Sequence, residues 1–478
     1  MMYERTVVVV KGVVLRNALR NIFMGAKGFQ LTGQDIELED PRFFFWARKE
    51  LGLISSYFKD INDEQSLFEI DTGLLFIDSE WSKTISVLDD MLPHSISFEY
   101  LWAIFPPDCF VVGTDALNNT TIWKARFGGM SRQADGSIVF VIQAENIDWD
   151  GERLGISSQS LHIPSFSGAM AIEDLPFIPL QHHQRKDQII PIIRGRSQKK
   201  MEFVQEGFKT KQYEGYGLIK ADSRHYFQSR VIIDPKMMDR TVPKNDLVPK
   251  LGVIRTVDRV WISEFIAESD TEKFKAVLKA LLKNPDEVSH KRNSRQQQMT
   301  DFKLNAEQEL LLSSLVYGYS LKDATWGAFT VDHLSNISWN DKAFDSLVMD
   351  AQLKNIIYRL VKTHSSDASD FDDFIQGKGK GLVGLLDGPP GAGKTLTAEA
   401  IAETAHMPLY TISSGALGHE ADQIYQSLTR ILELTAHWKA MLLLDEADVF
   451  LAKRNETDLK RNAIGQIIDS AFQTLTWF

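Results

Sequence analysis

Gly388-Pro389-Pro390-Gly391-Ala392-Gly393-Lys394-Thr395 is the stretch on which the reading of this chain turns. It fits G-x-x-x-x-G-K-[ST], the pattern of a phosphate-binding loop. The apolar run Gly381-Leu382-Val383-Gly384-Leu385-Leu386 before it predicts a buried strand, and Leu396 to Glu403 after it predicts a helix. Glycines let a backbone wrap a triphosphate, with N–H groups turned inward at a helix N-terminus. In that setting Lys394 reaches the β- and γ-phosphates and the Thr395 hydroxyl ligates Mg²⁺. The bland alternative is an ordinary Gly/Pro turn ahead of a helix.

A second motif argues against that alternative. Met441-Leu442-Leu443-Leu444 is an apolar strand running into Asp445 and Glu446, and Asp445 lies 51 positions after Lys394. Two carboxylates at a strand end after a phosphate loop form a Walker B element. Asp445 is expected to hold the metal, partly through water, and Glu446 to orient and deprotonate the attacking water. The expected site therefore has Lys394 and Glu446 as catalytic residues. Gly388, Pro389, Pro390, Gly391, Ala392, Gly393, Lys394, Thr395 and Leu396 hold the nucleotide, and Thr395 and Asp445 the metal. The expected cofactors are ATP and Mg²⁺.

GPPGAGKT at Gly388–Thr395 and LLLDEADVF at Leu442–Phe450 resemble the AAA-type ATPases. The longer stretch Phe371–Glu403 is similar to a fungal AAA family with a long uncharacterised N-terminal region. FEYLWAIFPP at Phe98–Pro107, IDWDGERLG at Ile147–Gly155, VIIDP at Val231–Pro235, FDSLV at Phe344–Val348 and DLKRNA at Asp458–Ala463 are landmarks of the same kind. The likeness runs from about Leu15 to about Ala463. It implies a doubly wound parallel sheet of order 5-1-4-3-2, with the ligand at the carboxyl ends of its strands. It also implies hydrolysis coupled to remodelling of a macromolecular client, an N-terminal adaptor and a hexameric homo-oligomer. The resemblance stops near Ala463, where a sensor strand, an arginine finger and a helical lid would follow. The expectation is a truncated module, with Ala471–Phe478 as a strand-like tail. Two alternatives stay open: a regulatory module that holds nucleotide without turning it over, and a truncated gene product.

The 478 residues suggest about three domains, and the 44% apolar and 24% charged composition is that of a globular protein. A net charge of −11 argues against general nucleic-acid binding. The single cysteine, Cys109, excludes an intramolecular disulfide and any multi-cysteine metal site, and is expected in a core. No apolar run reaches membrane-spanning length. Lys11, Arg16 and Arg20 break up the apolar start Val7–Val10, which argues against a signal peptide. The expected location is cytosolic or nuclear, with a mitochondrial one left open.

The predicted class is α/β: a β-rich α+β N-terminal region, then a P-loop AAA-type sheet incomplete at its C-terminus. Residues 1–283 form the N-terminal region, with a β-rich module over about 98–235. A polar linker follows at 284–303, a helical connector at 304–335, and the AAA large subdomain at 336–478. Val7 to Ser56 reads as a strand and two helices, and the aromatic run Arg42–Trp46 as core or interface packing rather than a ligand platform. Tyr57 to Leu88 gives no assignment. Phe98–Phe105 reads as a helix stopped by Pro106-Pro107. Strands follow at Cys109–Gly113, Thr120–Phe127, Ser137–Ala144 and Leu161–Ile163, with turns at Asp135-Gly136 and Asp150-Gly151. Strands at Gly215–Lys220 and Ser229–Ile233 are expected to close that module. Arg194, Arg196, Lys199 and Lys200 read as a solvated helix end. Helices are predicted at Phe274–Leu282, Leu304–Tyr317, Ala351–Thr363 and Ile424–Trp438, and a strand at Pro408–Ile412.

Overall fold

In the computed structural model of the chain, the structure describes residues 7–23, 36–38, 40–242, 246–254, 304–365, 384–413 and 421–446. The chain forms two compact units. Met1–Val204 with Pro249–Ser314 make the first, and Gln205–Val248 with Leu315–Phe478 the second. The units cut across the expected segments, because 205–248 of the N-terminal region belongs with the nucleotide module. The 284–303 linker, the Phe274–Leu282 helix, the Asp458–Ala463 landmark and the Ala471–Phe478 tail lie outside the described residues.

The first unit opens with an antiparallel pair, β1 (Val8–Val10) and β2 (Ile36–Leu38). Between them runs α1 (Val13–Ile22), with Leu15, Ala18, Leu19 and Ile22 buried at helical spacing. Its first N–H groups are capped from elsewhere: Glu69 Oε2 accepts from Val14 at 2.7 Å and Leu15 at 3.3 Å. Next come α2 (Arg42–Trp46), α3 (Arg48–Asp60) and α4 (Glu64–Met91). The aromatic run is core, as expected. Phe44 meets Phe76 edge-on at 5.0 Å and Phe43 meets Phe23 at 4.9 Å. The unassigned stretch is the 28-residue α4. Its buried stripe of Ile70, Gly73, Ile77, Ile85 and Leu88 is regular, but Phe68 and Leu75 on the outer face are 74% and 68% exposed. Those two blur the amphipathic pattern.

After β3 (Ser95–Ser97) and α5 (Leu101–Ile104) comes an antiparallel sheet. Its strands are β4 (Phe110–Thr114), β5 (Thr120–Arg132), β6 (Ile138–Trp149) and β7 (Leu154–Pro164). After β8 (Ala169–Ala171), β9 (Phe177–Pro179) completes the order β7-β6-β5-β4-β9. All four predicted strands are present, the last three longer than predicted. Gly136 and Gly151 take φ of +85° and +96° in the two predicted turns. Cys109 is buried in the core under this sheet.

Helix α6 (Lys186–Glu206) carries the basic cluster, and here the solvated-end reading is corrected. Lys200 is 1% exposed, its ammonium 2.6 Å from Asp148 Oδ1 and 3.2 Å from the Ser313 carbonyl. Arg196 is buried too and donates to the Thr120 carbonyl at 2.7 Å. Arg194 and Lys199 remain exposed.

The second unit contains the strands expected to close the first sheet. They do not: β10 (Lys209–Lys220) and β11 (Ser223–Ile233) pair in a sheet of their own. They lead to α7 (Pro235–Thr241), and the sheet continues with β12 (Leu315–Ser320), β13 (Thr325–Thr330) and β14 (Leu334–Ser335). The order is β11-β12-β13-β10-β14, and β11 also pairs with β10, so four strands close on themselves. Tyr213, Phe227 and Phe329 are fully buried and meet one another edge-on. The expected helix Leu304–Tyr317 is corrected as well. A capping box at Asn305 and Gln308 starts a helix that covers only Ala306–Leu310, and β12 begins five residues later. Strand therefore outweighs helix over 304–335. Aromatic residues at Tyr317 and Tyr319, in a strand buried from Val316 to Ser320, decide it.

The nucleotide module follows. Helix α8 (Ala351–Ser365), helix α9 (Lys394–Thr404), β15 (Leu409–Ser413), α10 (Ala421–His437) and β16 (Met441–Asp445) match the predicted elements. Strands β15 and β16 are parallel and adjacent, Leu409 opposite Met441 through Ser413 opposite Asp445. The predicted strand Gly381–Leu386 is not found in its described part. Gly384–Leu386 has no ladder partner, and Leu385 is 75% exposed. Gly381–Val383 lies outside the described residues. A buried strand exists only where its N–H and C=O groups are paired, and among the described residues none runs beside this one. No helix among the described residues is long and apolar enough to cross a membrane.

Candidate functional site

The loop from Gly388 to Gly393 is built on backbone that other residues rarely adopt. Gly391 and Gly393 have φ of +81° and +83°. A Cβ at either would meet nothing within 4 Å, so conformation rather than space demands glycine there. The Ala392 N–H donates to the Pro389 carbonyl at 3.2 Å, which tightens the turn. Gly393 then caps α9, whose first residue is Lys394.

The Lys394 ammonium folds back over this loop and donates to the carbonyls of Gly388 at 2.8 Å and Pro389 at 3.0 Å. Asp387 Oδ1 accepts from the Gly388 N–H at 2.9 Å and fixes the start of the loop. The second residue of α9, Thr395, points its hydroxyl at Asp445 Oδ2, 3.4 Å away. Beyond it Thr397, Ala398, Ala400 and Ala402 are buried, small side chains that seat α9 closely. Leu396 is 58% exposed.

Asp445 is the last residue of β16 and sits opposite Ser413 in register. Glu446 follows with φ +56°, an uncommon conformation for a residue with a side chain, and its N–H donates to Asp445 Oδ1 at 3.0 Å. A strand that ends in a left-handed turn puts successive carboxylates in different directions. Thr395 and Asp445 thus meet from two segments 50 residues apart, with Glu446 next in the chain after Asp445. The site is open: residues 388–392 and Glu446 are exposed and Thr395 and Asp445 half-buried.

Residues that sequence reasoning gave no role surround the roots of the same elements. Arg230 and Glu403 hold the end of α9 remote from the loop, and Asp234 holds His437 and Trp438 at the end of α10, ahead of β16. The readable signal was Asp234-Pro235, an N-cap followed by proline at the first helical position. Asp234 Oδ1 accepts from the Met237 N–H at 3.0 Å, as that pattern requires.

Comparison with known proteins bears on two stretches. Residues 384–473 match the ATPase family associated with various cellular activities (AAA), and residues 87–184 match a domain of unknown function (DUF7025). A Lon protease homolog of Acanthamoeba polyphaga mimivirus is 33% identical over 98 residues, 18% of this chain and 9% of that protein. The human ATP-dependent zinc metalloprotease YME1L1 is 32% identical over 146 residues, 26% of this chain and 18% of that protein. The katanin p60 ATPase-containing A-like 1 protein of Danio rerio is 26% identical over 159 residues, 29% of this chain and 32% of that protein. The chain thus spans between 9% and 32% of the length of these relatives. No solved structure matches the chain. The chain therefore carries an AAA ATPase family domain over residues 384–473 and, ahead of it, a domain of unknown function over residues 87–184.

Proposed function

We propose that the AAA domain binds Mg-ATP at Gly388–Leu396 and hydrolyses it, and that the cycle remodels a macromolecular client. The observation that carries this reading is the 3.4 Å approach of the Thr395 hydroxyl to the Asp445 carboxylate, from two motifs distant in sequence. A hydroxyl and a carboxylate facing each other are hard oxygen donors, the set Mg²⁺ takes. The open space over Gly391 and Gly393 and the amino end of α9 fit a chain of phosphates. Bound there, Mg²⁺ would neutralise charge on the phosphates.

The residues divide the remaining work. Lys394 already lies across the loop on two carbonyls and would exchange them for phosphate oxygens, a stronger charge-assisted contact. Glu446, one position beyond the metal-side carboxylate, would orient the attacking water and accept its proton. That ATP is the nucleotide draws support from relatives whose names describe ATP-dependent enzymes.

Titration with a fluorescent ATP analogue and a turnover assay test the proposal together. Lys394→Ala is expected to weaken binding at least about tenfold, the loss of a charge-assisted contact. Glu446→Gln should keep binding and abolish turnover, while Asp445→Asn should weaken the Mg²⁺-dependent part of binding. Unchanged affinity in Lys394→Ala, or wild-type turnover in Glu446→Gln, would overturn these assignments. Binding without any turnover would favour a regulatory nucleotide module instead.

A further inference from the structure

Residues two apart on a strand share a face; on β11 that face carries Arg230 and Ile232, and Asp234, the N-cap of α7, follows directly after the strand. Each touches a different part of the nucleotide module within the second unit. Arg230 Nη2 lies 2.7 Å from Glu403 Oε1, at the far end of α9. Its guanidinium stacks 4.4 Å from the Trp339 ring, and Glu403 Oε2 accepts from the Asn340 N–H at 3.0 Å. Asp234 Oδ2 accepts from Trp438 Nε1 at 2.9 Å and faces His437 Nε2 at 2.9 Å. Those two residues close α10, and Lys439, at φ +49°, turns the chain into β16. Ile232 is fully buried between them in the cluster with Tyr410 and Trp438.

The end of β11 and the α7 cap therefore hold the far end of α9 and the end of α10 that leads into β16. Glu403 is nine residues after Lys394 on α9, about 13 Å along a helix. Met441 is four residues before Asp445 on β16, about 13 Å along a strand. Thr395 and Asp445 stand at the ends of α9 and β16 remote from these contacts, with β16 also held along its length by β15. A tilt of about 5° in either element moves its tip by about 1 Å, a misplacement that can cost about a hundredfold in rate. Neither Arg230 nor Asp234 comes near the loop, so any influence on the reaction runs through α9 and β16.

We infer that Arg230 and Asp234 are positioning residues that set the spacing of Thr395 and Asp445, and that β11 and α7 respond in turn to nucleotide. The inference rests on the proposed ATP site. The response is required by linkage: if the grip favours the nucleotide-bound arrangement, nucleotide favours the grip equally.

The test uses the full chain with two substitutions. Asp234→Asn keeps an oxygen for the α7 cap but turns an amide N–H₂ toward the donors of Trp438 and His437. Arg230→Ala removes a half-exposed pair whose loss the fold tolerates. Both are expected to lower kcat about tenfold, equivalent to about 1.4 kcal/mol of barrier, with the ATP-analogue Kd within about twofold of wild type. Hydrogen exchange over residues 231–241 should slow on adding Mg-ATP to wild type and not in Asp234→Asn. Wild-type kcat in both variants overturns the inference. So does unchanged exchange over 231–241 in wild-type protein that demonstrably binds Mg-ATP. Wild-type protein that binds no nucleotide refutes the proposed function itself and takes this inference with it.

Discussion

Lys200 shows how much a single buried charge depends on its partner. It is 1% exposed and Asp148 3% exposed, and they meet at 2.6 Å beneath the β6 strand end. Burial lowers the pKa of the ammonium, and the Asp148 carboxylate opposes that shift. Removing the carboxylate leaves a charge with nowhere to go. Asp148→Ala should destabilise the first unit by about 3–5 kcal/mol in chemical denaturation, and Lys200→Met by a similar amount, because it leaves the buried Asp148 carboxylate without its cation. The sequence held a clue to this. Ile193, Arg196, Ser197, Lys200, Phe203 and Val204 fall on one helical stripe, and all are buried. Weighing the cluster by charge rather than by its three- and four-residue spacing hid the stripe. The phosphate loop was legible for the opposite reason. Gly391 and Gly393 are required by local backbone conformation, and a local requirement is written in consecutive residues.

At the level of elements, β12 and β15 meet through a phenol pair. Tyr319 and Tyr410 stack at 5.4 Å with their hydroxyls 2.6 Å apart, in the cluster that includes Trp438. Burial, and for Tyr319 the neighbouring Tyr410 as well, raises both pKa values above the ordinary 10.0. With the folded-state value above the unfolded one, this stability is fully present below pH about 10 and is lost as pH climbs past it, because the unfolded chain releases protons that the folded chain retains. Denaturation midpoints of the second unit should therefore fall above pH about 10. The Tyr319→Phe/Tyr410→Phe double variant should flatten that fall. The module's helices and strands were legible because each carries its own period or motif. Helix α4 was not, since Phe68 and Leu75 place apolar side chains on the solvent face. The fate of β10 and β11 was not legible either. Alternation reveals a strand, but it does not name the strand beside it.

For the molecule as a whole, the second unit is assembled from 205–248 and 315–478, with 249–314 given to the first. A fragment cut at the expected boundary, 336–478, lacks Ile232, Asp234 and Tyr319, and leaves the aromatic surface of Tyr410 and Trp438 uncovered. Such a fragment should bind a hydrophobic dye and elute as aggregate in size exclusion, whereas the full chain should do neither. This interleaving was beyond sequence reasoning, since it rests on pairs such as Asp234 and Trp438, 204 residues apart. That separation also sets a clock for biosynthesis. A ribosome adding about 5–20 residues per second takes about 10–40 s to travel from Asp234 to Trp438. Throughout that interval Ile232 and Asp234 have been made but lack the end of α10 that completes their cover. Nascent chains paused between the two codons would be the ones most in need of a holdase, and those released past residue 438 the first able to complete that cover.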